Sequence, residues 1–185
     1  MRFETDKFEN GLINEYLAIL QPLQYKPVRL LEIGVFRGGS IKFWSHYLKH
    51  PETRIIGLDI TLPQAQFAAN VSLLECDQND GNRLAEIAAG HGPFDLIIDD
   101  GTHFRRETEN CFRTLFGHVV PGGYYVIEDW AVGYWHTRPQ YAGMVQLVTE
   151  IMENAPDLQI EGFSIVLETN KAMALFRRGH AGWSQ

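Results

Sequence analysis

Residues 28–40 read VRLLEIGVFRGGS. The run from Val28 to Ile33 is apolar except for Arg29 and Glu32 and closes at Gly34, the pattern of a strand buried on both faces. Glycines at 34, 38 and 39 let the backbone turn tightly and approach a ligand, and Ser40 is placed to cap a helix over residues 40–49. Strand, glycine turn and helix in that order open a doubly wound α/β sheet, in which ligands bind beyond the carboxyl ends of the strands. The spacing is not GxGxxG, which argues against a nicotinamide or flavin dinucleotide site.

Working outward, the alternation repeats. Residues 54–60, 71–76, 94–98 and 124–127 read as strands, the last opened by Pro121-Gly122-Gly123. Residues 80–89 and 107–116 read as helices closed by Gly90 and Gly117, and a short helix is expected over 63–69. A helix over 143–154 precedes two strands, 159–167 and 172–177, joined at Thr169-Asn170-Lys171. That link is too short for a parallel crossover, so these two strands must pair antiparallel. Upstream, residues 8–20 carry apolar side chains at helical spacing despite Gly11, so residues 1–27 form a helical extension. The expected fold is one domain over residues 1–185: α/β, a doubly wound, Rossmann-like, seven-stranded sheet, mostly parallel with an antiparallel C-terminal hairpin.

Composition excludes several classes. A net charge of −7 repels phosphate backbones, so nucleic acid is not an expected partner. Arg105, Arg106 and Arg113 read as a solvated helix face. Cys76 and Cys111 form no CxxC pair and have no zinc-ligand spacing; they read as buried thiols of a reducing, cytoplasmic setting. The opening MRFETDKFEN has no apolar signal-peptide core, and no apolar run approaches the ~18 residues of a membrane span.

Every strand end carries a polar signal. Asp59 closes the second strand, where a carboxylate can accept from both hydroxyls of a ribose, and Asp77 and Gln78 follow the third, where they can meet an adenine edge. Each has an ordinary reading as a loop cap. The fourth strand runs into Asp99-Asp100-Gly101-Thr102-His103 and the fifth into Glu128-Asp129-Trp130. These strands should be neighbours, which places Asp100, Glu128 and Asp129 in one crevice. Clustered carboxylates repel and resist burial, and a hard cation such as Mg²⁺ resolves the conflict. Caps or arginine partners (Arg105, Arg106, Arg138) are the structural alternative, and Asp99 suits a structural or cofactor-contact role. His103, in the same turn as Asp100, has the chemistry of a general base.

Together these residues resemble the metal-dependent sugar O-methyltransferases of macrolide biosynthesis, the macrocin and mycinamicin type, and their cephalosporin-hydroxylase-like relatives. The matching segments are LEIGVFRGGS, GLDI, CDQND, FDLIIDDGTHF, ETENCFRTLF, PGGYYVIEDW and GYW, within residues 28–145. The pairing of DDGTH with VIEDW is the specific part. The resemblance implies S-adenosylmethionine bound by Glu32, Gly34, Asp59, Asp77 and Gln78, with Ser40 beside them, Mg²⁺ on Asp100, Glu128 and Asp129, and His103 as base. It implies methylation of a small-molecule hydroxyl, such as a sugar of a natural product, and a homo-oligomeric assembly. Tyr134, Trp135 and His136 would wall the acceptor pocket. Two other readings stand beside it: a metal-independent methyltransferase on another acceptor, against which DDGTH replaces the N/D-P-P-Y type of motif, and a non-catalytic S-adenosylmethionine-binding protein.

Overall fold

The computed structural model describes residues 3–135 and 139–180. Seven strands form one sheet: β1 (Arg29–Ile33), β2 (Arg54–Asp59), β3 (Val71–Glu75), β4 (Phe94–Asp99), β5 (Val119–Glu128), β6 (Ile160–Glu168) and β7 (Lys171–Arg178). Their order is β3-β2-β1-β4-β5-β7-β6. The pairs from β3 to β5 are parallel, whereas β7 is antiparallel to both β5 and β6. The chain builds outward from β1 through β3, then returns to place β4 on the other side of β1. That reversal between β1 and β4 opens the crevice beyond the strand ends.

Alternation along the strands makes two cores. Leu31, Ile33, Ile56, Ile97, Tyr125 and Ile127 face α3 (Gly81–His91), α4 (Arg105–Leu115) and α6 (Met144–Glu153). Leu30, Ile55, Leu96, Ile98, Val126 and Met173 face α1 (Leu12–Leu20) and α2 (Gly39–Tyr47). A short helix α5, Val132–Trp135, follows β5. Before α1, a 3₁₀ turn over Asp6–Phe8 packs on α2 through Phe8 and Phe43, whose ring centroids lie 5.1 Å apart.

Three local expectations change. No helix forms over residues 63–69; the segment is turn and extended chain, with few apolar side chains to bury, and Phe67 rests on Gly38. α3 runs through Gly90 to His91 and stops at Gly92-Pro93. β5 begins at Val119 and passes through Pro121-Gly122-Gly123, where its register against β4 shifts between Phe94 and Leu96, the irregularity at which a strand accommodates proline.

Gly34 sets the closest approach in the fold. Its φ is +89°, and a Cβ there would lie 1.9 Å from the carbonyl oxygen of Asp100. Gly34→Ala should therefore lower stability by at least about 2 kcal/mol in urea unfolding, because left-handed strain and a backbone clash add. Gly90→Ala is the control: nothing lies within 4 Å of the added methyl inside α3, and the change should be neutral or stabilising by up to about 1 kcal/mol.

Candidate active site at the switch point

Register brings the chemistry together. Ile33 pairs with Asp99, and Asp99 with Ile127, so Gly34, Asp100 and Glu128 cap neighbouring strands. Asp99 points into the α3–α4 core, accepting from Gln78 Nε2 at 3.0 Å and Tyr125 Oη at 3.2 Å. Burial pushes its carboxyl up to about 7. Glu32 and Glu128 point to the opposite face. Glu32 is fully buried beneath α2, where Trp44 Nε1 donates to its Oε2 at 2.9 Å and Ser40 also bonds it. Burial raises it to about 7.

A lysine sits among these acids. Lys7, only 2% exposed, places Nζ 2.5 Å from Asp100 Oδ2, 2.9 Å from Glu128 Oε1 and 3.8 Å from Glu32 Oε1. Tyr16 Oη donates to Glu128 Oε1 at 2.5 Å. Burial works against a charged lysine, but Asp100, Glu128 and Glu32 outweigh it and hold the ammonium well above its ordinary range. Burial likewise pushes Glu128 up to about 8, with the charge of Asp100 adding to the rise and Lys7 opposing it.

Asp100, His103 and Asp129 turn outward instead. His103 Nε2 lies 3.9 Å from Asp100 Oδ1 and 3.9 Å from Asp129 Oδ2, and all three side chains are partly open. Both His103 (φ +57°) and Asp129 (φ +50°) hold left-handed backbone, a strain that side-chain-bearing residues carry at functional turns. Burial raises the Asp129 carboxyl, while His103 lowers it. Arg105 is committed elsewhere, to Glu150 at 2.6 Å and to Glu109. Arg138 and His136 lie outside the described residues, as does the side chain of Trp135; Tyr134 is exposed.

The trio opens on a cleft of about 960 Å³ lined by Gly34, Phe36, Asp59, Asp77, Asp100 and His103, a size suited to a nucleotide-like ligand. Asp59 accepts from the backbone N–H groups of Phe36 at 2.8 Å and Thr61 at 3.1 Å. Asp77 Oδ1 accepts from the Asn79 backbone at 2.8 Å. Gln78 also lines the cleft, with its amide engaged: besides holding Asp99, its Oε1 accepts from Thr102 N at 2.8 Å. Ser40 lies inside the first turn of α2, whose cap is Gly38, so its hydroxyl serves Glu32 and caps nothing. Sequence reading missed Lys7, Tyr16 and Trp44; only their unusual burial reveals them.

Residues 31–130 match the family model described as "Methyltransferase domain". Demethylmacrocin O-methyltransferase of Streptomyces fradiae is 42% identical over 115 residues, which are 58% of this chain and 29% of that protein. Mycinamicin VI 2''-O-methyltransferase of Micromonospora griseorubida is 42% identical over 145 residues, 72% and 35% of the two chains. The chain thus spans about a third of the length of the curated relatives it matches. The structure of the MycE methyltransferase from the mycinamycin biosynthetic pathway, in complex with Mg, SAH and mycinamycin VI, superposes with a TM-score of 0.74 at 30% identity, covering 90% of this chain and 49% of that one. No helix among the described residues is long and apolar enough to cross a membrane.

The buried acids give stability a pH signature. A carboxyl whose folded value is raised contributes fully below its unfolded value, near 4, and loses that contribution as pH rises through the folded value. For Asp99 the window runs from about 4 to about 7. The thermal midpoint should fall by several degrees between pH 5 and pH 8. Asp99→Asn should flatten part of that slope, since its amide can accept from Gln78 and donate to the Tyr125 oxygen; calorimetric melts of both proteins across this range would show an unchanged slope if Asp99 were ionised throughout.

Proposed function

The chain belongs to the methyltransferase-domain family, and from that premise we propose that it moves the methyl group of S-adenosylmethionine to a hydroxyl oxygen of a small molecule, such as a sugar of a natural product, with the help of a divalent metal. The observation that carries this reading is the outward trio Asp100, His103 and Asp129 opening on the same cleft as Gly34, Asp59 and Asp77. The names of the two curated relatives, an O-methyltransferase of demethylmacrocin and one of mycinamicin VI, and the Mg and SAH of the MycE complex support it.

The donor set fits both groups. On the cofactor side, Asp59 offers carboxylate oxygens at the end of β2 for ribose hydroxyls, Asp77 offers an acceptor for an adenine amine, and Gly34 lets the backbone approach the amino-acid portion. Bound S-adenosylmethionine would supply a methyl sulfonium, which needs little beyond a well-placed nucleophile. On the acceptor side, Asp100 Oδ1 and Asp129 are the carboxylate oxygens open to a hard ion, which takes one or two protein carboxylates and keeps other positions for water and substrate. A bound Mg²⁺ would lower the pKa of a hydroxyl it touches.

His103 is a poor ligand for a hard ion but stands beside both carboxylates, so we assign it the proton. Its Nε2 takes the hydroxyl hydrogen, and the pair Asp100 and Asp129 stabilises the imidazolium that results. A metal-independent reading draws on Lys7, which already neutralises part of the cluster.

Titration calorimetry separates these. S-adenosylmethionine and S-adenosylhomocysteine should bind with micromolar affinity, and Asp59→Ala should weaken them by tenfold or more. Mg²⁺ should give its own signal, lost in Asp100→Ala. His103→Ala should keep both binding signals within about threefold yet lose on the order of 10²–10⁴ in kcat on any hydroxyl acceptor that the wild type turns over. Cofactor binding without a Mg²⁺ signal, and turnover indifferent to EDTA, would select the metal-independent reading.

A further inference from the structure

Lys7 does more than neutralise. Its ammonium bonds Asp100 Oδ2 and both oxygens of Glu128, and Tyr16 takes a further lone pair of Glu128 Oε1. Glu128 is 2% exposed and does not line the cleft. Asp129 follows it directly in sequence but makes no bond to Lys7 and faces His103. The ammonium therefore divides the acids of this crevice into an inner set, Glu32 and Glu128, and an outer set, with Asp100 shared: Oδ2 held by Lys7, Oδ1 turned toward His103.

The tether is built from the backbone. Thr5 Oγ1 accepts from Lys7 N, and the carbonyl of Asp6 accepts from Glu9 N at 2.8 Å and Asn10 N at 2.9 Å. Phe3 and Phe8 grip Phe43 of α2, with centroids 5.3 and 5.1 Å away. The chain at Glu4 lies so close on α2 that a Cβ at Gly39 would sit 1.9 Å from the Glu4 carbonyl oxygen. The lysine is thus held on a packed strap and is buried.

We infer that Lys7 is a positioning residue, a tethered cation that keeps a divalent metal off Glu128 and confines it to Asp100 and Asp129. Lys7 engages both Glu128 oxygens and Tyr16 takes a further lone pair in a buried setting, whereas Asp100 is bonded by Lys7 through Oδ2 alone and keeps Oδ1 for the metal. By fixing Asp100 Oδ2, Lys7 also presents Oδ1 to the outer site in one orientation. This rests on the metal-assisted reading above, but its failure can be told apart from the failure of that reading.

The test is Mn²⁺ binding followed by electron paramagnetic resonance of the free ion, on the whole chain, for the wild type, Glu128→Gln, Lys7→Met, Lys7→Met/Glu128→Gln and Gly39→Ala. The wild type should bind Mn²⁺, and Glu128→Gln should change its affinity less than threefold. Lys7→Met should bind at least tenfold more tightly, because Glu128 becomes available, and adding Glu128→Gln should abolish the gain. A merely structural lysine would give no such gain. If Lys7→Met does not fold, Gly39→Ala carries the test: it dislodges the strap, leaves every carboxylate in place, and should also tighten binding. Equal or weaker binding in these variants, or a tenfold loss in Glu128→Gln alone, would overturn the inference. Binding by Lys7→Met but not by the wild type would uphold the exclusion and sink the metal-assisted reading. Binding by neither would overturn both.

Discussion

Burying negative charge is the constraint around which this molecule is organised. The strand ends of β1, β4 and β5 bring Glu32, Asp99, Asp100, Glu128 and Asp129 to one switch point, and three of these are at most 2% exposed. Ionised carboxylates do not enter a core uncompensated. The chain answers differently for each. Asp99 is held by Gln78 and Tyr125 and pushed toward its neutral form. Glu32 and Glu128 share Lys7; Tyr16 bonds Glu128 and Trp44 bonds Glu32 Oε2, while Glu32 Oε1 has only the Lys7 ammonium 3.8 Å away and no hydrogen-bond partner. Asp100, whose Oδ2 is held by Lys7, and Asp129 are left partly open, with a histidine between them. The acids buried in the core are given partners there, and Asp100 and Asp129 are turned to the cleft, where the proposed metal would complete them.

That sorting explains what the sequence could and could not reveal. The strands were legible because a parallel sheet buried on both faces demands unbroken apolar runs, and the last hairpin because a three-residue link permits only antiparallel pairing. The acids were legible as strand-end residues, since each follows an apolar run. Their orientation was not. Glu128 and Asp129 are adjacent, and the sequence reading placed them in one ligand set; the structure leaves Glu128 on the strand, under α1, and swings Asp129 out through a left-handed residue. Consecutive strand residues point to opposite faces, and one unusual φ decides which side the next carboxylate reaches. Lys7 was invisible for another reason: a lysine in a polar leader is ordinarily solvated, and only long-range packing of the 3₁₀ turn on α2 buries it.

Gln78 and Ser40 show the same limit from the cofactor side. Both lie where a nucleotide-binding loop would use them, yet both are spent on holding acids, Gln78 on Asp99 and Ser40 on Glu32. Asp59 and Asp77, which also line the cleft, are instead oriented by backbone N–H donors of their own loops. Polar groups close to a switch point therefore fall into two layers, and the inner layer works by fixing the outer one. A sequence motif spans both without separating them.

The two halves of the site meet at a single backbone junction. Gly34 N donates to the Leu58 carbonyl, Asp100 N donates to the Ile33 carbonyl at 2.9 Å, and the absence of a side chain at Gly34 lets the Asp100 carbonyl pass directly over it. The loop on which a methyl donor would rest and the carboxylate that would fix the acceptor are thus one rigid unit. Methyl transfer gains most of its rate from holding nucleophile and carbon in line at near contact, and a displacement of about 1 Å costs on the order of 10²-fold. A site that obtained its donor and acceptor elements from separate flexible loops would have to restore that distance at each turnover. Here it follows from strand register, set when β4 adds beside β1, and the strap bearing Lys7 then fixes which Asp100 oxygen faces the cleft. The same packing that neutralises the buried acids thereby sets the geometry on which the proposed chemistry depends.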